Sequence, residues 1–340
     1  MIGWLKFVSQ AFSGVHRRPD LIRMARAPRH LELAGVFASA ITPRRANSQD
    51  PDVSGLLDLL DFLAGDAGKG SGVTGVCLFD AAGEFLNYSF SERQRFVYLA
   101  VKRSRVPLIV GVSHSTLAGA LQLADEAIAS GADALILMPP WFFRYAQTEI
   151  EEFYLQFAKE TGDAVPILIH NFPQVTSNIE FELMRKLIDT GRFAGIADSS
   201  GDWPFFEQLL ELRLARPFAL FNGHDPTAAR ALRAGASGIV SGSACAVPEL
   251  LSGLARAISS QDEQQAAALN ARLQEFVEWA ERFPFPAAIK RAVELRGQKS
   301  APPLTPLAPD TRKALAEFST WFEAWLPRMK AATTKQAANA

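Results

Sequence analysis

The chain has 340 residues, of which 48% are hydrophobic and 21% are charged, and its formal net charge at pH 7 is −1. This length suits either two ordinary domains or a single α/β barrel. A net charge so close to zero provides no general attraction to nucleic-acid phosphates or to anionic lipids, so we expect neither nucleic acid nor a membrane as a partner. No apolar run approaches the roughly 18 residues that a membrane-spanning helix requires.

The beginning of the chain and the cysteines bear on its compartment. Residues 1–34 form a basic N-terminal extension that we expect to be solvated or packed against the folded domain, with a targeting segment or a docking arm as the alternatives. Lys6 interrupts the apolar opening, which argues against a secretory signal. Cys77 and Cys245 lie among apolar or small residues, which predicts two buried free thiols and a reducing, cytoplasmic environment.

From Gly35 onward, short β-rich runs alternate with helical patterns. The runs are almost continuously apolar and lack a period of two, which is typical of parallel strands buried on both faces. The predicted strands cover residues 35–42, 75–79, 107–113, 134–140, 166–172, 193–197, 218–223 and 238–243. Eight strand–helix units in succession predict an α/β fold of the (β/α)8 TIM-barrel type.

Amphipathic segments between the strands predict the outer helices, most clearly at 116–130, 149–161 and 203–214. The glycine-rich stretch at 65–72 lacks the spacing of a phosphate-binding loop and is predicted to be a connecting loop. After the eighth strand the pattern becomes entirely helical, over 248–259, 263–282, 286–296 and 311–329. The predicted organisation is a basic N-terminal extension (1–34), the barrel (35–247), an appended C-terminal helical region (248–330) and a disordered tail (331–340).

Polar residues follow the predicted strands at the end where such barrels keep their active sites. They are Asp80, Glu84, His114, His170, Asn171, Asp198, Ser199, Ser200, Asn222, His224 and Asp225. Three of the five histidines of the chain are among them, namely His114, His170 and His224. The sequence therefore predicts an active site at this rim, with His114 as a surface or hydrogen-bonded loop histidine.

From Gly35 to about Arg328 the chain resembles the dihydrodipicolinate synthase and N-acetylneuraminate lyase family of class I aldolase-type barrels. The order and spacing of the matching segments agree over most of the chain. These segments are "AITP" (40–43), "AAGEF" (81–85), "MPPWFF" (138–143), "HNFPQVT" (170–176), "GIADSSGD" (195–202), "NGHD" (222–225), "GASGIVSGSA" (235–244), "PFPAAIKRAVELRG" (284–297) and "PPLTPL" (302–307).

The resemblance implies a Schiff base between a strand-6 lysine and a 2-oxo acid such as pyruvate, with a strand-5 tyrosine relaying protons. In this chain the lysine position falls on Ala197 and the tyrosine position on His170. Because alanine has no amine, no Schiff base can form at Ala197. The nearest downstream lysine, Lys290, is predicted to lie on a closing helix, far in sequence from the strand ends.

The same correspondence identifies the candidate substrate-binding residues. The family's paired hydroxyl residues, which hold the substrate carboxylate, fall on Ala81 and Ala82, the second tyrosine of T-P-Y-Y falls on Phe142, and an arginine falls on Val175. The full set is Ala81, Ala82, Gly83, Glu84, Phe142, Val175, Asn222, His224, Asp225 and Ile239. The aromatic run that includes Phe142 is expected either to pack or to wall a pocket for an apolar ligand.

Two interpretations of these replacements follow. In the first the site is rebuilt for lyase chemistry without a Schiff base, and His170 acts as general acid or base on a small 2-oxo acid or related carboxylate. The backbone amides of the "AAGE" segment would then stabilise the negative charge that develops. Glu84, Asp198 and Asp225 are the carboxylates that we expect to orient His170, with a structural role for Asp198 as its alternative. In the second the site is retired, leaving a catalytically silent family member, a pseudoenzyme that binds a ligand or serves as a scaffold or regulatory subunit.

Cofactors and partners are predicted on the same basis. We expect no cofactor and no metal, although His170, His224 and a carboxylate are residue types that bind one. A small-molecule carboxylate is the expected ligand. The resemblance implies a homo-oligomer, a dimer or a tetramer.

Overall fold

The computed structural model describes residues 32–45, 48, 50–65 and 72–334. Eight short parallel strands form a closed barrel in sequence order, and β1 pairs with β8 to complete it. The strands are β1 (Gly35–Ser39), β2 (Gly75–Leu78), β3 (Leu108–Gly111), β4 (Ala134–Leu137), β5 (Ile167–Asn171), β6 (Gly195–Asp198), β7 (Ala219–Asn222) and β8 (Gly238–Ser241). Each overlaps a predicted strand, which confirms the (β/α)8 TIM barrel.

Seven helices lie outside the barrel and return the chain to the start of the next strand. They are α1 (Val53–Ala64), α2 (Phe90–Arg103), α3 (Leu117–Ser130), α4 (Gln147–Thr161), α5 (Phe181–Asp189), α6 (Trp203–Ala215) and α7 (Ala228–Arg233). Local sequence fixes several of their ends. The hydroxyl of Ser89 accepts from the Glu92 amide in a capping box at the start of α2, and Gly131, with φ of 94°, ends α3.

Five helices follow β8 in the described part of the chain; the first lies within the segment assigned to the barrel, and the other four begin within the predicted helical region, 248–330. They are α8 (Ser243–Ala246), α9 (Pro248–Ser259), α10 (Glu263–Ala280), α11 (Ala287–Leu295) and α12 (Pro309–Thr334). Phe276 of α10 packs against Phe318, Phe322 and Trp325 of α12, with ring centroids 5.9–6.2 Å apart. This aromatic contact fixes the last helix to the helix that borders the barrel mouth.

The hydrophobic core has two layers, as expected for a sheet closed on itself. The inner layer fills the barrel and contains Phe37, Cys77, Ile109, Ala134, Ile136, Leu168, Ala197, Phe221 and Val240. The larger outer layer lies between the barrel and the helices. Within the inner layer Phe37 and Phe221 meet edge to face with centroids 5.5 Å apart, so the barrel interior is packed rather than open.

Several sequence-based expectations fall wholly or partly outside the described residues. Residues 1–31 of the N-terminal extension and 66–71 of the glycine-rich stretch lie outside them. Helix α12 continues to Thr334, into the segment expected to be a tail, and 335–340 lie outside the described residues.

Cys77 and Cys245 are both buried and unpaired, as predicted. Among the described residues, no helix combines the length and the apolar character needed to cross a membrane.

Candidate active site

A cavity of about 710 Å³ opens at the C-terminal ends of the strands. Loops that follow β2, β4, β5, β6, β7 and β8 line it, and residues from α10, α11 and the segment between them close one side. Of the predicted substrate-binding residues, Ala81, Glu84, Val175, His224 and Asp225 lie in its wall. The predicted rim is therefore the location of this cavity, which is larger than a neighbouring cavity of about 270 Å³.

The other predicted binding residues occupy different positions. Ala82 and Gly83 are buried in the turn between Ala81 and Glu84. Phe142 lies outside the cavity wall with 88% of its surface exposed. Ile239 is buried in the outer core layer, so its side chain faces the helices and not the mouth of the barrel.

His170 lies on β5 at the base of the cavity and is 2% exposed. Its Nε2 lies 2.9 Å from the Ser199 hydroxyl, and its Nδ1 lies 3.2 Å from Oδ1 of Asp80. The second contact has the length of an ion pair, although its angle falls outside hydrogen-bond geometry. Such contacts are often poorly aligned in unliganded enzymes and tighten when substrate binds.

Asp80 is the carboxylate that accompanies His170, in place of the three that the sequence suggested. Its second oxygen, Oδ2, accepts a hydrogen bond of 2.9 Å from Ser39 of β1. Burial raises the pKa of this carboxyl, but the His170 ring and hydrogen bonds from Ser39 and from the Ala81 amide outweigh burial and lower it. Asp80 is therefore ionised at neutral pH.

The three suggested carboxylates have other partners. Glu84 pairs with Lys290, and Asp225 accepts from the Ser243 amide at 3.0 Å. Asp198 accepts from Asn171 at 2.9 Å and from Ser200 at 2.8 Å, which supports its alternative, structural role. Burial raises the pKa of Asp198.

Ser199 is the polar group that links His170 to the cavity. It lies in the cavity wall, whereas His170 does not. Its amide donates to the Asn171 carbonyl at 2.8 Å, which fixes the end of β6 against β5. Its hydroxyl also lies so close to Gly223 that a side chain there would collide with it. The sequence placed Ser199 at the rim but did not identify it as the partner of His170.

Ala197 is fully buried in the inner core layer, directly across from His170 in the β5–β6 register. Among the described residues of this layer, which include Phe37 and Phe221, there is no lysine that could supply an amine in place of Ala197. Residue 199 follows residue 197 by two positions, so both side chains point to the inside of the barrel. Ala197 thus lies one level below Ser199.

Lys290 reaches the rim from α11, which the sequence did not anticipate. Its Nζ forms an ion pair with Oε2 of Glu84, and the lysine is only 2% exposed. Burial and the nearby Arg44 lower the pKa of Lys290, while the Glu84 carboxylate opposes that shift. Lys290 is absent from the cavity wall, and its ion pair neutralises the charge of Glu84.

The two other histidines of the predicted rim have structural partners. The His224 amide donates to Asn222 at 3.2 Å, and its Nδ1 lies 3.1 Å from the Thr227 hydroxyl. His114 lies in a smaller neighbouring cavity, with Nδ1 3.0 Å from the Thr116 hydroxyl, which confirms a hydrogen-bonded loop histidine. Among the described residues, no three His, Cys, Asp or Glu side chains are grouped to hold a metal ion.

Comparison with known proteins gives the same family. The family model of the dihydrodipicolinate synthetase family matches residues 33–324. An uncharacterized DapA-like lyase of Halobacterium salinarum is 32% identical over 252 residues, which are 72% of this chain and 81% of the relative. A 4-hydroxy-tetrahydrodipicolinate synthase of Methanococcoides burtonii is 26% identical over 286 residues, 83% of this chain and 96% of the relative. The crystal structure of dihydrodipicolinate synthase from Aquifex aeolicus has a TM-score of 0.75 at 23% identity and covers 85% of this chain and 98% of its own. The chain therefore belongs to the dihydrodipicolinate synthetase family.

Proposed function

We propose that this protein is a lyase that makes or breaks a carbon–carbon or carbon–oxygen bond in a small 2-oxo acid or related carboxylate without a Schiff base. His170 serves as its general acid and base. The observation that carries this proposal is a buried imidazole, held between the Asp80 carboxylate and the Ser199 hydroxyl beneath the cavity. The sequence resemblance, which places the family's lysine at Ala197, supports the absence of a Schiff base.

The contacts of His170 suit proton transfer. An ionised Asp80 next to Nδ1 favours the tautomer that carries its proton on Nδ1, which leaves Nε2 as the base. Nε2 meets Ser199, so protons pass between the imidazole and the cavity through the serine hydroxyl. In a retro-aldol reaction His170 takes the proton of the substrate hydroxyl through Ser199, the adjacent carbon–carbon bond breaks, and the proton returns to the enolate carbon.

The cavity wall favours a substrate whose non-reacting part is apolar. Phe85, Trp141, Phe172 and Phe283 all lie in the wall. Aldol adducts of pyruvate with aromatic or branched aldehydes combine such a part with a 2-oxo acid. They are therefore the first substrates to test.

The silent interpretation rests on a different observation. The amides of Gly83 and Glu84 donate to carbonyls within their own turn, and the Ala81 amide bonds to Asp80. The expected anion-binding amides are thus largely engaged, which favours ligand binding without turnover. A homo-oligomer and a cytoplasmic location belong to either version of this proposal.

The test is a retro-aldol assay with 4-hydroxy-2-oxo-4-phenylbutanoate and related adducts, in which lactate dehydrogenase and NADH report the pyruvate released. We expect turnover by the wild-type protein and a loss of at least about 100-fold in His170→Ala, since general acid–base catalysis contributes that much or more. Asp80→Asn should lower the rate as well.

His114→Ala is the matched control, because this histidine hydrogen-bonds within its loop and lies outside the relay. Incubation with pyruvate and borohydride should leave the mass of the protein unchanged. A mass gain equal to reduced pyruvate, or an equal rate in wild type and His170→Ala, would contradict the proposal. Absence of turnover with binding of the adducts by calorimetry would establish the silent interpretation instead.

A further inference from the structure

Three polar groups form a line that ends in the cavity. Oδ1 of Asp80 lies 3.2 Å from Nδ1 of His170, and Nε2 of His170 lies 2.9 Å from the hydroxyl of Ser199. Asp80 and His170 are 5% and 2% exposed, while Ser199 is 8% exposed and belongs to the cavity wall. This arrangement of serine, base and orienting carboxylate is the one that activates a serine as a nucleophile, and it recurs on unrelated folds.

We propose that Ser199 is a nucleophile and that the protein carries out acyl transfer from uncharged, apolar esters. This activity goes beyond the proposed lyase reaction. It uses the same imidazole for a different purpose: His170 removes the proton of Ser199 itself, and the serine oxygen attacks the substrate.

The surroundings of each member fit these roles. The Ser39 hydroxyl holds Oδ2 of Asp80 at 2.9 Å, while Oδ1 lies 3.2 Å from Nδ1 of the imidazole. The ring of His170 stacks on Phe172 with centroids 5.7 Å apart and planes 23° apart, which restricts its rotation. The amide of Ser199 is bonded to the Asn171 carbonyl. The nucleophile and its base are therefore held at the ends of two adjacent strands of the barrel.

The cavity indicates the class of ester. Its described wall includes the aromatic side chains of Phe85, Trp141, Phe172 and Phe283. Of the carboxylates in that wall, Glu84 is paired with Lys290 and Asp225 accepts from the Ser243 amide. An uncharged alkyl or aryl ester with an apolar acyl chain fits such walls.

The reaction balances without a further reactant other than water. The Ser199 oxygen forms a bond to the ester carbonyl carbon as its proton moves to Nε2 of His170. The carbon–oxygen bond to the alcohol then breaks, and the alcohol leaves with that proton. Water, deprotonated by His170, attacks the acyl-serine, releases the carboxylic acid and restores the serine.

Ser200 provides a matched control. It is the neighbouring serine in the same loop, but its hydroxyl donates to Asp198 at 2.8 Å and has no imidazole partner among the described residues. Ser200 also lies outside the described cavity wall. A probe that reacts with serines in general would not distinguish the two, whereas a probe that requires activation would.

The test is labelling of the full-length protein with diisopropyl fluorophosphate, read by intact mass and peptide mapping, together with hydrolysis of 4-nitrophenyl butyrate. In labelling, the serine oxygen forms a bond to phosphorus, and fluoride leaves with the serine proton as hydrogen fluoride. We expect one label on Ser199 and ester hydrolysis in the wild type and in Ser200→Ala. Ser199→Ala should carry no label, and His170→Ala and Asp80→Asn should be labelled at least about 100-fold more slowly.

Circular dichroism and urea unfolding of each variant establish that it is folded. A folded wild-type protein that is unlabelled, or that is labelled equally at Ser200, would overturn the proposal, as would Ser199→Ala hydrolysing the ester at the wild-type rate. Labelling requires no lyase substrate. Failure of the retro-aldol assay therefore leaves this result intact, and failure of labelling leaves the lyase proposal to its own assay.

Discussion

Gly223→Ala tests the contact between His170 and Ser199 without altering either residue. A Cβ atom built at Gly223 collides with the Ser199 hydroxyl and lies 3.1 Å from its Cβ. Because β6 lies between β5 and β7, the hydroxyl is confined between Gly223 on one side and the imidazole on the other. It cannot retreat towards Nε2, which is already 2.9 Å away. The hydroxyl must therefore rotate to another χ1 rotamer, a displacement of about 2 Å.

That displacement breaks the hydrogen bond and leaves a buried imidazole nitrogen without its partner, at a cost of about 1–3 kcal/mol. Diisopropyl fluorophosphate labelling of Ser199 and proton transfer through its hydroxyl should both fall by at least about 100-fold. Stopped labelling reactions followed by intact mass, with urea unfolding in parallel, measure the two effects.

Gly253→Ala is the control for adding a methyl group. It lies in α9, where the nearest atom to a new Cβ is the end of the Leu269 side chain at 3.3 Å. This variant should label at the wild-type rate, since it leaves the barrel mouth unchanged. If Gly223→Ala is also labelled at the wild-type rate while remaining folded, the Ser199 hydroxyl does not depend on its present position, and the relay derived from that position is refuted.

Three further predictions concern stability. Lys290→Met should destabilise the fold by about 1–3 kcal/mol in urea unfolding, because it leaves the largely enclosed Glu84 carboxylate without its partner. The double variant with Glu84→Gln should recover much of this loss, and equal stability of the single and double variants would contradict the prediction. The lowered pKa of Asp80 predicts stability that is present above about pH 4 and is lost as pH falls through the folded-state pKa. Below about pH 4, Asp80→Asn should therefore lose stability less steeply than the wild type in urea unfolding. Phe318→Ala should cost about 3–5 kcal/mol by thermal or urea unfolding, since the ring is fully buried between α10 and α12, whereas the exposed Phe142→Ala should cost little.

The barrel was predictable because each of its strands is buried on both faces. That burial leaves a nearly uninterrupted apolar run, as in the predicted strand at 166–172, which contains β5 (Ile167–Asn171). The shared location of the rim residues was also predictable, since polar residues directly after such runs must lie at one end of a parallel barrel. The chemical roles assigned to those residues remain predictions.

The partner of His170 was not predictable, for a reason that lies in the backbone. Inward-facing positions alternate along β2, and Cys77 belongs to the inner core layer, so regular alternation would direct residue 79 inward. Phe79 instead has φ of 54° and packs in the outer layer. This left-handed residue shifts the alternation by one and directs Asp80 to the mouth. A positive φ at a phenylalanine has no reliable sequence signal.

Lys290 escaped prediction because its contact is long-range. It pairs with a residue 206 positions away in the chain, after α11 folds over the rim of the barrel. Periodicity places the lysine on a helix but does not say which face of the barrel the helix covers. The local pattern around Ser199 was more informative, because the interior position of Ala197 already implies that the residue two positions later points inward.

The two positions at which the sequence resemblance places the family's lysine and tyrosine, Ala197 and His170, form one contact rather than two separate sites. The two positions face each other across the β5–β6 register. The small methyl group of Ala197 leaves room beside it for the imidazole ring of His170. From β5 the ring extends to Asp80 on one side and to Ser199 on the other, one level above Ala197. Ala197 is apolar and fully buried, and of the three polar groups Ser199 is the one that lies in the cavity wall. Both proposed activities depend on that hydroxyl and on the imidazole that it contacts, so the assays that separate proton relay from covalent attack at Ser199 test the two proposals independently.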